Sequence, residues 1–295
     1  MCPNKDMPVS AKTVMDFELF RKIVNEAKGF VSDLYLHHRG EPLLNPRLFD
    51  MIALARAAGL RTRFHTNGTL LDAARAQRLL DARPDLVSFS VDGYDKESYE
   101  RVRRGGDFDR TVANIVGLAE ARRARRQRKP YLVVEQIRFR NPPAPDSPEK
   151  SVALRRRFLD AGVDEVIVKE EYRWTEERAP APTEPRTCSA CTFPWYAMVI
   201  CADGTVAPCP QDFWAKLKMG NARESSLRDI WNGDAYRDLR RSFKDGQLTA
   251  LCAKCDRLYR KTVGGVPFQY MATFLVDQLV GYGRLRHWLG TAERN

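Results

Sequence analysis

The chain has 295 residues, 43% of them hydrophobic and 29% charged, with a formal net charge of +11. That length suits one large domain plus a small one. No uncharged apolar run reaches the about 18 residues that a transmembrane helix needs. The start, Met1-Cys2-Pro3-Asn4-Lys5-Asp6, lacks the apolar core of a secretory signal, so a cytoplasmic location is expected. Much of the basic excess sits in Arg122–Lys129 and Arg155–Arg157. Both runs read as solvated helix faces, and no nucleic-acid partner is expected.

In chain order, the apolar spacing predicts helices at Met15–Lys28, Pro46–Ala58, Leu71–Ala82, Phe108–Arg125 and Pro148–Ala161. Candidate strands are Asp33–His38, Arg61–Thr66, Leu86–Val91, Tyr131–Phe139 and Glu165–Lys169. Strands separated by helices mean βαβ units and a parallel sheet. Functional-looking residues just after the strands suit a barrel, whose active site forms at the strands' C-terminal ends. Residues 175–187 hold three prolines without apolar periodicity and read as a linker. Beyond them, Tyr196–Cys201 and Thr205–Cys209 flank Asp203-Gly204, a hairpin turn. Short helices are expected at Ser226–Asn232 and Ala235–Lys244. Phe268–Leu289 reads as an apolar tail packed on the barrel, with a membrane-surface helix as the alternative.

Seven cysteines stand out: Cys2, and six between residues 188 and 255. Such clustering points to metal rather than to disulfides in a reducing compartment. Cys191, Cys209 and the pair Cys252-Ala253-Lys254-Cys255 supply four thiolates, enough for a 4Fe–4S cluster. Tetrahedral zinc takes the same set. Zinc ribbons place about 15–20 residues between their pairs, far fewer than separate Cys191 from Cys252, which favours iron–sulfur. Cys188 competes as a ligand, and Cys201, at the end of an apolar strand, reads as a small buried hydrophobe.

The stretch Cys191-Thr-Phe-Pro-Trp195, Gly204-Thr-Val-Ala-Pro-Cys209, Gly220-Asn221, Ile230-Trp231-Asn232-Gly233 and Cys252-Ala-Lys-Cys255 resembles the SPASM auxiliary-cluster domain of radical S-adenosylmethionine enzymes. Lys261 stands where that pattern often continues with further cysteines, so the region resembles the one-cluster, or twitch, version. The N-terminal part carries the same resemblance. Gly40-Glu41-Pro42 looks like the family's glycine–glutamate motif, which meets the amino group of S-adenosylmethionine. Thr66-Asn67-Gly68 resembles a second contact loop. Ser90-Val91-Asp92-Gly93 with Arg103 matches positions that hold the ribose and the carboxylate. Gln136 and Arg138 are expected to face the same cavity.

The resemblance implies a partial (β/α)6 TIM-like barrel lacking its first strand over residues 1–174. A linker follows, then a cysteine-rich α+β SPASM/twitch domain over 188–262 and a tail over 263–295. It implies that Gly40, Glu41, Asn67, Ser90, Asp92 and Arg103 bind S-adenosylmethionine, and that Cys191, Cys209, Cys252 and Cys255 hold an auxiliary 4Fe–4S cluster. Asp212 is a candidate base in a net oxidation. The implied activity is hydrogen abstraction from a peptide or small molecule by a 5′-deoxyadenosyl radical, with flavodoxin or ferredoxin as electron donor. The chain departs from the family in one respect. Of the Cys-x-x-x-Cys-x-x-Cys loop that binds the catalytic cluster, only Cys2-Pro3-Asn4 matches. The start is expected to lie upstream of Met1, and one thiolate is not expected to retain that cluster. An inactive short form and a zinc-binding module with a basic face are the alternatives.

Overall fold

A computed structural model describes residues 2–139, 147–171, 191–255, 258, 262–263 and 266–267. The chain divides into two compact units, Met1–Tyr172 and Arg173–Asn295.

In the first unit, α1 (Phe17–Ala27) precedes five parallel strands: β1 (Asp33–Tyr35), β2 (Arg61–Thr66), β3 (Leu86–Ser90), β4 (Tyr131–Arg138) and β5 (Glu165–Glu170). They pair in chain order, β1-β2-β3-β4-β5. The crossovers carry α2 (Leu48–Ala57), α3 (Ala73–Ala82), α4 (Lys96–Val102) with α5 (Phe108–Ala124), and α6 (Pro148–Ala161). One core joins alternate strand residues Phe64, Val87, Phe89, Leu132, Val134 and Val166 to Ile52, Leu79, Leu80, Ile115, Leu118 and Phe158 of the helices. Burying each such large side chain stabilises the fold by about 1.5–3 kcal/mol. Because successive side chains alternate in direction, the intervening positions Arg63, His65, Ser88, Glu135 and Lys169 lie on the opposite face. Helices over one face and polar side chains on the other are the arrangement of a barrel wall.

The strand and helix positions agree with the sequence expectation to within a few residues, with informative exceptions. β1 ends at Tyr35 rather than at His38. The ladder runs one bond further, from the Leu36 amide to the Arg63 carbonyl at 2.7 Å. The His65 amide then donates to the imidazole Nδ1 of His37 at 3.3 Å instead of to a backbone carbonyl. Helix α4 has no counterpart in the apolar pattern. Its nucleus is a capping box, in which Asp95 accepts the Ser98 amide at 2.8 Å and Ser98 Oγ accepts the Asp95 amide at 3.2 Å. The basic run 122–129 is not simply a solvated face. Arg122 is 7% exposed and pairs with Asp164, while donating to the Pro130 and Gly162 carbonyls at 2.6 Å each. Arg125 reaches Asp81 at 2.6 Å.

The second unit begins, among its described residues, with α7 (Phe193–Tyr196), followed by a three-stranded antiparallel sheet. β6 (Val199–Ile200) and β7 (Thr205–Ala207) form the expected hairpin, and β8 (Gly220–Asn221) pairs with β7. The Gly204 amide closes the turn onto the Cys201 carbonyl at 2.9 Å. Helices α8 (Leu227–Asn232), α9 (Asp234–Lys244) and α10 (Ala250–Ala253) follow, then a β9–β10 hairpin (Thr262–Val263 with Val266–Pro267). Cys201 is buried at 6% exposure, as expected for a small hydrophobe. The linker 175–187, Cys188, Lys261 and the tail Phe268–Leu289 lie outside the described residues.

Phe89 sits on the central strand, fully buried. Phe89→Ala is expected to lower stability by about 3–5 kcal/mol through loss of transfer energy and an unfilled cavity, as measured by urea denaturation.

Candidate functional site

Three loops at the C-terminal ends of β1, β2 and β3 carry the residues singled out from the sequence. Gly40 has φ +95°, a left-handed conformation that glycine adopts without penalty, and it turns the chain so that Glu41 points back at β2. Glu41 Oε1 accepts from Thr66 Oγ1 at 2.6 Å and from the Leu43 amide at 3.1 Å, and Oε2 accepts from the Asn67 amide at 2.8 Å. Burial pushes this carboxyl above its usual range, against the pull of those hydrogen bonds and of the Arg103 charge. A carboxylate offers about four acceptor sites, so one remains beyond these three bonds. Asn67 spends its side-chain oxygen on an Asx turn, accepting from the Thr69 amide at 2.9 Å and the Thr69 hydroxyl at 2.7 Å.

At the end of β3, Asp92 is 3% exposed. One oxygen takes Arg103 at 2.5 Å and the other takes the Ile137 amide at 3.2 Å. Burial pushes Asp92 up, opposed by Arg103. Asp92 is thus the residue that holds Arg103. The Arg103 Nε is buried with no hydrogen-bond partner among the described residues. A buried guanidinium edge left unsatisfied calls for an acceptor. Helix α4 closes over this loop because position 93 is glycine. A Cβ there would lie 2.4 Å from the Tyr99 amide nitrogen. Ser90, the last residue of β3, lies in register with Glu135.

The polar face of the sheet holds a group that sequence reading passed over. Glu135 Oε2 lies 2.8 Å from Lys169 Nζ and 3.6 Å from His65 Nδ1, and the His65 and His37 rings sit 4.3 Å apart. Gln136, expected to face the cavity, instead donates weakly to the Gly93 carbonyl at 3.5 Å. Strand alternation puts Glu135 on the His65 face and Gln136 on the other. Burial opposes ionisation of Glu135, yet His65 and Lys169 together hold its carboxyl below the usual range. His37 and His65 are pushed down by burial. Burial and then the Arg39 charge push His38 down to about 4.

In the second unit, the Cys209 thiol is pushed up to about 12 by burial, and it senses Cys191 and Cys252 nearby. The neighbouring Gln211 and Asp212 amides ease its ionisation, and the Asp212 amide donates to the Cys209 carbonyl at 3.3 Å. Cys252 is pushed up by burial, receives a hydrogen bond from Thr249 and senses Cys255 and Asp212. Buried thiols that repel one another's ionisation become thiolates once positive iron stands among them, and backbone amides close to a sulfur suit an iron–sulfur ligand. Four cysteines, with Cys209 in electrostatic reach of Cys191 and Cys252, are the donor chemistry an iron–sulfur cluster takes. Among the described residues, no three His, Cys, Asp or Glu side chains are grouped as ligands of a single ion. Asp212 is fully buried, and both of its oxygens accept backbone amides, of Lys216 and Leu217, at 2.8 Å. Acting as a base would require it to release them. Cys2 is exposed at the N-terminal end.

The sign of the histidine shifts fixes a pH response. A depressed folded-state value favours the neutral ring, so the stability it supplies is present above the unfolded value and lost as pH falls through the folded one. Glu41 and Asp92, with raised values, act in the opposite sense. Between pH 6.5 and about 4 the His38 contribution should drain away. His38→Gln is expected to flatten the wild-type loss of stability over that window by on the order of 1–3 kcal/mol, read from urea midpoints at successive pH values.

Residues 1–125 match the model of the radical SAM superfamily, and residues 188–256 match an iron–sulfur cluster-binding domain, SPASM. These domains use 4Fe–4S clusters and S-adenosylmethionine. The S-adenosyl-L-methionine-dependent 2-deoxy-scyllo-inosamine dehydrogenase of Niallia circulans is 31% identical over 88% of this chain and 88% of its own. The PqqA peptide cyclase of Rhizobium meliloti (strain 1021) is 25% identical over 92% of this chain and 80% of its own. Among solved structures, BtrN in complex with AdoMet and 2-DOIA shares the fold, with TM-score 0.52 and 19% identity over 86% of this chain and 85% of that one. Strand-end loops, a cysteine-lined second unit and these matches lead to one conclusion: the chain belongs to the radical SAM superfamily and carries a SPASM domain.

Proposed function

We propose that the protein is an oxidoreductase or maturase that abstracts hydrogen from a peptide or small-molecule substrate, with one auxiliary 4Fe–4S cluster in its second unit. When bound, the catalytic cluster and S-adenosylmethionine supply a 5′-deoxyadenosyl radical. The observation that carries the reading is Arg103, fixed by buried Asp92 and left with an unsatisfied Nε at a strand end. Arg103 binds the cofactor carboxylate, and Asp92 keeps the guanidinium in place. Glu41 accepts the ammonium through its remaining acceptor site, with Gly40 setting its direction. The Thr66-Asn67-Gly68 turn and Ser90 frame the nucleoside. Cys191, Cys209, Cys252 and Cys255 hold the auxiliary cluster, which suits a net oxidation by accepting an electron from substrate. That the 2-deoxy-scyllo-inosamine relative is a dehydrogenase supports a small alcohol, and the peptide cyclase relative supports a peptide. A one-electron donor of the flavodoxin or ferredoxin type completes the cycle.

Anaerobic reconstitution with iron and sulfide tests the cluster. The chain should take up about four irons, and Cys209→Ala or Cys252→Ala should abolish uptake. One zinc per chain without iron uptake would defeat the reading. A form carrying the complete Cys-x-x-x-Cys-x-x-Cys loop should release 5′-deoxyadenosine. In that form, Asp92→Asn should weaken S-adenosylmethionine binding roughly tenfold, about 1.4 kcal/mol, by letting Arg103 swing free. Calorimetric titration under anaerobic conditions measures it.

A further inference from the structure

Helix α9 carries two polar groups that the fold does not use. Tyr236 is fully buried, yet its hydroxyl has no hydrogen-bond partner among the described residues. A buried hydroxyl without a partner costs about 1–3 kcal/mol, and Tyr at such a position is retained at that cost unless something accepts its proton. Phenylalanine would fill the same volume without the penalty. The ring itself is held firmly. Trp231 of α8 packs on it with centroids 4.9 Å apart, and the Arg240 guanidinium lies 5.0 Å from its centroid and 4.5 Å from that of Trp231.

Arg240 shows the same pattern one turn further along α9. Its Nε donates to the Pro194 carbonyl and its Nη1 to the Trp231 carbonyl, both at 2.9 Å. Those bonds tie α9 to α7, beside Cys191, and to α8. The Nη2 is buried with no hydrogen-bond partner among the described residues. The Tyr236 hydroxyl is within electrostatic reach of Cys209. The Gln211 and Asp212 amides beside Cys209 already ease the charge on its sulfur. A sulfur of the cysteine site, once it carries negative charge, is chemistry able to satisfy a lone O–H donor here.

We infer that Tyr236 donates a hydrogen bond from its hydroxyl to the sulfur of the cluster held by Cys209, and thereby sets the reduction potential of that cluster. The inference rests on the assignment of the auxiliary cluster. A donor to ligand sulfur stabilises the reduced, more negative state, so its removal shifts the potential downward. Arg240 holds the Tyr236 ring in its orientation and adds positive charge behind it, acting as a positioning residue. Trp231 completes the stack. The arrangement tunes how readily the cluster takes an electron without placing Tyr236 on the substrate.

The test uses the full chain with Cys2→Ala, so that the cluster of the second unit is the sole redox centre. Parent and Tyr236→Phe are reconstituted anaerobically, and iron, the midpoint potential by EPR-monitored titration, and exchangeable-proton couplings by ENDOR in H2O and D2O are recorded. Equal iron is expected in both. The variant should be roughly tenfold harder to reduce, a negative shift of about 59 mV for a one-electron couple. It should also lose one exchangeable coupling that the parent shows. An unchanged midpoint with all couplings retained overturns the proposal. Loss of iron in the variant alone overturns it too, since the ring would then be acting only as packing. A parent that binds no iron defeats the cluster assignment itself, an outcome distinct from the other two.

Discussion

Alternation of side chains along five parallel strands organises the first unit. Helices cover one face, so every second residue must be apolar there, and polar side chains are confined to the other face and to the strand ends. Phe64, Val87, Phe89, Leu132, Val134 and Val166 satisfy the first demand. His65, Ser88, Glu135 and Lys169 occupy the second face. The loops beyond β1, β2 and β3 then have one direction in which to project Glu41, Asn67 and Asp92. A one-residue slip in any strand would exchange the two faces and scatter the site.

Within that frame, the strand-end carboxylates are fixed before any ligand arrives. Glu41 is bound by two backbone amides and a threonine hydroxyl, and Asp92 by one amide and Arg103. Preorganisation of this kind lowers the entropic cost of binding a flexible amino-acid-bearing ligand. The cysteine unit works similarly with smaller parts. A tight hairpin, the Asp212-anchored loop and the short helix α10 bring Cys209 within electrostatic reach of Cys191 and Cys252, and Cys252 within reach of Cys255.

Much of the site was legible in the sequence because its elements are local. Gly40-Glu41, Thr66-Asn67-Gly68 and Ser90-Val91-Asp92 each lie within a few residues of a strand end, and strand ends are set by apolar periodicity. The cysteine spacing was equally readable. Helix α4 was not, because a short helix nucleated by Asp95 and Ser98 leaves no apolar stripe to detect. Glu135 was missed in favour of Gln136, since register within a buried strand decides which of two adjacent residues joins His65 and Lys169 on the polar face. The basic run around Arg122 looked like a solvated face, whereas the turn before β5 supplies a carboxylate and a carbonyl, and the residue before β4 a second carbonyl, that bury its first arginine.

What the sequence determined by itself is therefore the chemistry: which groups are present, in what order, and beside which strands. Composition and periodicity act over a handful of neighbours, and the motifs lie within that range. What tertiary structure alone decided is which groups are already spoken for. Asn67 turned out to serve its own turn and Asp212 its own loop, while Arg103 Nε and the Tyr236 hydroxyl were left without a hydrogen-bond partner among the described residues. A hydrogen bond is a statement about two atoms brought together in space, and residues as far apart as Asp92 and Ile137, or Arg240 and Pro194, meet only after the chain has folded.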